Sequence, residues 1–195
     1  MSATSTKAHS KRDEIIAIAS RLFYEQGFGA TGIKQIIDEA GIAKGTFYSH
    51  FPSKEALGIA WLKSRHHTWN KWFEDAIAKQ ESAAHRIIAS FDFLATWLKE
   101  CDYRGCAFIN TMAETPDFES PMRKEVMSHK KELHERFREL ATNHSDAVGK
   151  NDGGSAALGT TLYLLFEGAL VESQNFHDSW PIIAARDMAL TLLKT

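Results

Sequence analysis

Thr31-Gly32-Ile33-Lys34-Gln35-Ile36-Ile37-Asp38-Glu39-Ala40-Gly41-Ile42-Ala43-Lys44-Gly45-Thr46-Phe47-Tyr48-Ser49-His50-Phe51-Pro52-Ser53-Lys54 is the stretch whose reading decides the fold. Ile33, Ile36, Ile37 and Ala40 recur at helical spacing, with Thr31 placed to cap the start and Gly41 to end the helix. A second short helix, Lys44 to Phe51, follows within a few residues. Two short helices across a glycine-containing turn are what a helix-turn-helix requires, the first crossing the DNA backbone and the second entering the major groove. In that second helix Phe47 and Phe51 lie one turn apart and face inward against Ile36, Ile37 and Leu22. Lys44, Thr46, Tyr48 and His50 are left facing outward, and all four carry hydrogen-bonding side chains. Gly45 has no side chain to hold the helix away from a phosphate.

Upstream, Ile15, Ile18, Ala19 and Leu22 predict a helix over Lys11 to Gln26, closed by a left-handed Gly27. Downstream, Ser53 caps a long helix through Trp61, Trp69 and Phe73. Ile87, Phe91, Leu94 and Leu98 mark another, and Tyr103 to Glu114 a shorter one. Ser120-Pro121 starts a helix bearing Met122, Val126, Leu133, Phe137 and Leu140 on one stripe. Polar Asn143 to Gly154 reads as a loop, and apolar helices over about Ser155 to Phe176 and Pro181 to Leu193 close the chain. The expectation is an all-α protein of about nine helices: a three-helix helix-turn-helix domain over residues 1–54, then a helical ligand-binding and dimerisation domain over 55–195.

The chain has 195 residues, 44% of them hydrophobic, enough for a packed core. No apolar run approaches the roughly 18 residues of a membrane span and no signal peptide is evident, so a cytoplasmic protein is expected. A net charge of −2 argues against indiscriminate nucleic-acid binding. The first 54 residues nevertheless carry seven cationic and five acidic side chains, leaving the excess negative charge to the remainder. Cys101 and Cys106 are too few for a disulfide framework and wrongly spaced for a zinc ribbon, so neither metal nor cofactor is expected. Adjacent His66 and His67 point about 100° apart on a helix and do not chelate one ion together. His129 falls on an apolar stripe and reads as a core or pocket-edge histidine. No phosphate-cradling glycine loop, Walker sequence or Gly-x-Ser-x-Gly elbow appears, which argues against an enzyme.

Ala40 to Leu57 resembles the TetR family of bacterial regulators, whose signature reads Ala-Gly-Val/Ile-Ser/Ala-Lys-Gly-Thr-Phe-Tyr-x-His-Phe-x-Ser-Lys-Glu-x-Leu. The likeness extends over Lys11 to Leu57 and departs at Ile37, where the family often has alanine. It implies that Thr31, Tyr48, His50 and Lys54 contact phosphates, while Lys34, Lys44 and Thr46 reach base edges or neighbouring phosphates. It further implies a homodimer on a palindromic double-stranded operator, with recognition helices roughly 34–36 Å or more apart. The two C-terminal helices are the expected dimer surface: Leu158, Leu162, Leu165, Phe166 and Ala169 on one, Ile182, Ile183, Ala189, Leu190 and Leu193 on the other. The same residues would also serve a monomer core.

By the same resemblance the middle helices enclose a small-molecule effector. Phe93, Trp97, Phe108, Asn110, Met112 and Phe166 are the candidate lining, although aromatics at helical spacing also serve a plain core. Tyr103 to Glu114 resembles a segment of a TetR subset that includes an N-ethylmaleimide-sensing repressor, with Cys106 at the place of its reactive cysteine. A thiol at a helix start near Arg104 is suited to reaction with electrophiles; the alternative is a small buried apolar residue. Two functions remain open: a ligand-released repressor, or a DNA-binding regulator without a small ligand, governed by a protein partner or by oxidation of Cys106.

Overall fold

A computed structural model describes residues 10–149 and 153–194, and within them the chain is built from helices alone. Their order is α1 Lys11–Gln26, α2 Ile33–Ala40, α3 Lys44–His50, α4 Lys54–Ile77, α5 Ala83–Glu100, α6 Ala107–Glu114, α7 Pro121–Ala147, α8 Ser155–Phe176 and α9 Trp180–Leu192.

Local chemistry accounts for most helix ends. Ser10 accepts from the Asp13 amide, and Asp13 returns the bond in a capping box. Ser53 and Ser82 cap α4 and α5 through the amides of Ala56 and His85. Gly41 ends α2 at φ 59°, ψ 37°, a left-handed conformation that glycine adopts without strain. Gly27 also has a positive φ, but its ψ of 153° is extended, so it turns the chain out of α1 without a left-handed cap.

Helices α1 to α3 form a small head around Ile15, Ala19, Leu22, Ile36, Phe47 and Phe51, all buried. α4 starts beneath this head, where Trp61 packs against Phe23 of α1 with ring centroids 5.2 Å apart, and runs without a break into the larger body. There α4, α5, α7 and α8 surround an aromatic core of Trp69, Phe73, Phe91, Phe137 and Phe166. α7 and α8 approach closely: a Cβ on Gly159 would lie 2.6 Å from the Arg138 Cα. α9 covers α5 and α8, and α6 lies against α7.

Three expectations need correction. Residues 101–106 are a loop rather than the start of a helix, with Asp102, Tyr103 and Gly105 at positive φ, so α6 begins only at Ala107. The polar segment from Asn143 continues α7 to Ala147 because His144 and Ser145 are buried; the rest of the expected loop includes residues outside the described set. On the two last helices Leu162, Phe166, Ala169, Ile182 and Ala189 belong to the chain's own core. The large apolar side chains they present to solvent are Leu164, Phe176, Trp180, Ile183 and Met188, each at least half exposed.

Candidate DNA-reading head and its link to the core

The head separates a buried packing side from an exposed polar side. Phe47 and Phe51 are buried with centroids 6.1 Å apart, which fixes the rotation of α3. Lys44, Gly45, Tyr48 and His50 are exposed, and Thr46 is half-buried. Tyr48 stands edge-on to Phe47 at 5.2 Å with the Lys44 ammonium 5.9 Å from its ring centre, so cation and phenol are presented side by side. A Cβ on Gly45 would meet nothing within 4 Å, leaving that surface open. Lys34 lies on α2, fully exposed, paired with Asp38 at 2.6 Å and thereby held above the ordinary lysine range.

Thr31 does not fit the role expected of it. Its side chain is completely buried and its hydroxyl donates to the Gly27 carbonyl at 2.8 Å, with the Leu22 carbonyl at 3.3 Å. It ties the end of α1 to the start of α2 and offers nothing to a phosphate. Nor does it cap α2, whose N-cap is Gly32 with no side-chain bond. Lys54 folds back across the head: its ammonium donates to the Gly29 carbonyl at 3.2 Å and lies 4.5 Å from the Phe28 ring centre. Partial burial lowers its pKa, and the Glu114 carboxylate works the other way.

That carboxylate is part of a link invisible in sequence. Glu114, at the end of α6, accepts from the backbone N–H groups of Phe28 and Gly29 in the α1–α2 turn. At the other end of α6 the Arg104 guanidinium donates to the Tyr24 carbonyl at 2.8 Å, and the Tyr24 hydroxyl donates to the Gly105 carbonyl at 2.8 Å. Burial, with Cys101 adding to it, pushes the Tyr24 phenol up, so it stays a neutral donor. One short helix therefore grips the head at both ends. The residues lie some eighty positions apart, and no periodicity announces the pairing.

The candidate effector residues do not gather in one place. Phe93 and Trp97 stack on each other and stand edge-on to Trp69, while Phe166 closes the same aromatic layer. Phe108 stacks face to face on His129 at 3.7 Å, beside Cys106 at the start of α6. Asn110 turns elsewhere, accepting from the Gln174 amide at 3.1 Å and donating to the Arg104 carbonyl. Met112 is half-buried against the core. Trp61 Nε1 and Ser173 Oγ are buried without a hydrogen-bond partner among the described residues.

Around Cys106 the expected cation is not Arg104, which is committed to Tyr24, but Lys130. Its ammonium lies 3.7 Å from the Cys106 sulfur and pairs with Glu167 at 2.6 Å. Burial works against charge on Lys130, yet Cys106 and Glu167 outweigh it and hold the lysine above its usual range. His129 Nδ1 meets His66 Nδ1 at 3.0 Å, and the far nitrogen of His66 lies 3.2 Å from Glu132. His129 is pushed down to about 2, first by burial and then by Lys130 and His66, so it is a neutral imidazole. Among the described residues no three His, Cys, Asp or Glu side chains gather to hold a metal ion, and no helix is long and apolar enough to cross a membrane.

Comparison with known proteins agrees with this geometry. The family model described as "Bacterial regulatory proteins, tetR family" matches residues 15–60. The chain is 28% identical over 189 residues to the HTH-type transcriptional regulator LmrA of Bacillus subtilis, covering 94% of this chain and 96% of that one. It is 27% identical over 117 residues to the HTH-type transcriptional repressor NemR of Escherichia coli, 59% of each. Among solved structures, a TetR-family transcriptional regulator from Streptomyces coelicolor superposes with a TM-score of 0.84 at 25% identity, covering 94% of both chains. The reduced form of Escherichia coli NemR has the same fold, with a TM-score of 0.79 at 22% identity over 92% of this chain and 95% of that one.

Proposed function

Because the chain belongs to the TetR family of bacterial regulatory proteins, which are helix-turn-helix transcriptional regulators and not enzymes, we propose that it is a cytoplasmic repressor. In this reading residues 1–54 bind a palindromic operator as one half of a homodimer, and residues 55–195 bind a small apolar, aromatic or electrophilic effector that releases it. The observation that carries the reading is the division of α3, with two phenylalanines locked inward and Lys44, Tyr48 and His50 presented outward. One such helix touches too few base pairs to select a site, so a second copy is required. The exposed Leu164, Trp180, Ile183 and Met188 give α8 and α9 an apolar surface suited to such a contact. The clamp of α6 on the α1–α2 turn supports a route from the body to the head, because an effector that favours one placement of α6 favours one placement of α3.

Footprinting of the purified protein on DNA flanking its own gene tests the operator. The expected result is two protected half-sites. Lys44→Ala is expected to weaken binding about tenfold or more and, if the amine meets a phosphate, to reduce the salt slope by about one. An unchanged affinity and slope would remove Lys44 from the interface.

A second reading, control through the Cys106 thiol without a bound ligand, is favoured by the Lys130 ammonium 3.7 Å from its sulfur. Release of operator by N-ethylmaleimide is then expected in the parent protein and absent in Cys106→Ser. Equal release in both would exclude it.

A further inference from the structure

A groove on the outer face of α7 lies outside both the head and the aromatic core. It encloses about 520 Å³ and is lined by Phe118, Arg123, Lys124, Met127, Ser128 and Lys131. Positions 124, 127, 128 and 131 share one helical face, away from the buried stripe of Met122, Val126, His129 and Leu133. Phe118 overhangs them from the six-residue connection after α6 and is 75% exposed, and Met127 is 40% exposed.

The carboxylates of α7 nearest the groove are paired elsewhere. Glu125 and Glu132 turn toward α4, where Lys63 and His66 meet them, and Glu135 pairs with Arg138. The groove holds three cations. Lys124 is offset only by exposed Glu119 at 3.3 Å, and Lys131 has no ion-pair partner among the described residues. The Arg123 guanidinium lies 4.2 Å from the Phe118 ring centre and donates to the Thr115 carbonyl at 3.2 Å. An exposed aromatic face, a thioether and a surplus of cations together complement a ligand that is flat and apolar at one end and anionic at the other.

We propose that this groove binds a small planar aromatic carboxylate, its ring against Phe118 and Met127 and its carboxylate between Arg123 and Lys131. The site is separate from the interior effector region. It also has a mechanical consequence. Arg123 holds the Thr115 carbonyl at the end of α6, one residue after the Glu114 that grips the head. A carboxylate drawing the guanidinium away competes with that bond and loosens the end of α6, so occupancy and operator affinity are linked.

Calorimetric titration of the full-length protein with 1-naphthoate tests the site without depending on DNA. Acetate and the neutral 1-naphthamide serve as probes of charge alone and of apolar surface alone. One saturable site per chain is expected for 1-naphthoate, with acetate and the amide at least about tenfold weaker. Lys131→Gln and Phe118→Ser, both at exposed positions, are each expected to weaken 1-naphthoate binding about fivefold or more. Absence of saturable binding overturns the proposal. So does binding that both variants leave unchanged, which would place the ligand elsewhere. A change from dimer to monomer in Phe118→Ser, seen by sedimentation, also overturns it, because the groove would then be covered by a second copy.

Discussion

Gly159→Ala is expected to destabilise the folded chain by about 1–3 kcal/mol, and Gly159→Val to prevent folding. Helix propensity predicts the opposite, since alanine is favoured over glycine in a helix interior by about 1 kcal/mol. Packing decides the sign. The added Cβ would lie 2.6 Å from the Arg138 Cα and 3.0 Å from the Arg138 nitrogen and the Phe137 carbonyl oxygen. These are backbone atoms inside α7 and do not swing aside as a side-chain tip does. α7 and α8 would have to separate along their whole contact, opening the layer in which Phe137 and Phe166 touch at 5.2 Å. Thermal unfolding reads the effect as a fall in Tm of roughly 5 °C or more. Gly168 on the same helix is the internal comparison, because a Cβ there meets nothing within 4 Å of the single chain. Gly168→Ala should therefore be neutral or stabilising in the chain alone, and a loss there would report a second subunit packed against it. An unchanged Tm in Gly159→Ala would show that the helices do not approach as described.

The contrast between those two glycines shows what kind of information sequence carries. Helix existence was legible because apolar periodicity repeats strongly: of Ile15, Ile18, Ala19 and Leu22, expected on one buried face, Ile18 is half-buried and the others are inaccessible. The two faces of α3 were legible for the same reason. Thr31 was misread because a threonine before an apolar run is a common cap, and only the path of the chain shows its hydroxyl turned back to the Gly27 carbonyl. Which apolar residues of α8 and α9 are exposed was not legible, because α8 is apolar on most of its circumference and its sequence does not say which apolar face meets α7 and which meets solvent. Lys130 beside Cys106, Glu114 under the α1–α2 turn and His66 against His129 join residues 24 to 86 positions apart. Such pairs follow from tertiary placement, and a single sequence holds no local signal for them.

Among these long-range pairs the buried histidine has the largest expected effect on stability. In the unfolded chain an imidazole takes up a proton near pH 6.5. In the fold His129 is 2% exposed and its pKa is pushed down to about 2, by burial first and by Lys130 and His66 after it. Between those values the unfolded chain binds a proton that the folded chain refuses. The stability is therefore fully present above pH 6.5 and is lost as pH falls through the window, at about 1.4 kcal/mol per pH unit. From pH 6.5 to 4.5 this one group should cost about 2–3 kcal/mol. His129→Phe keeps a ring to stack on Phe108 and removes the titration, so its stability should fall less over the same interval by that amount. Urea unfolding of both proteins at the two pH values, at one chain concentration so that dimerisation contributes equally, measures the difference. Equal losses would mean that His129 accepts its proton while folded. A smaller acid sensitivity in the variant would assign that share of the acid destabilisation to the His129 imidazole, stacked on Phe108 near the start of α6.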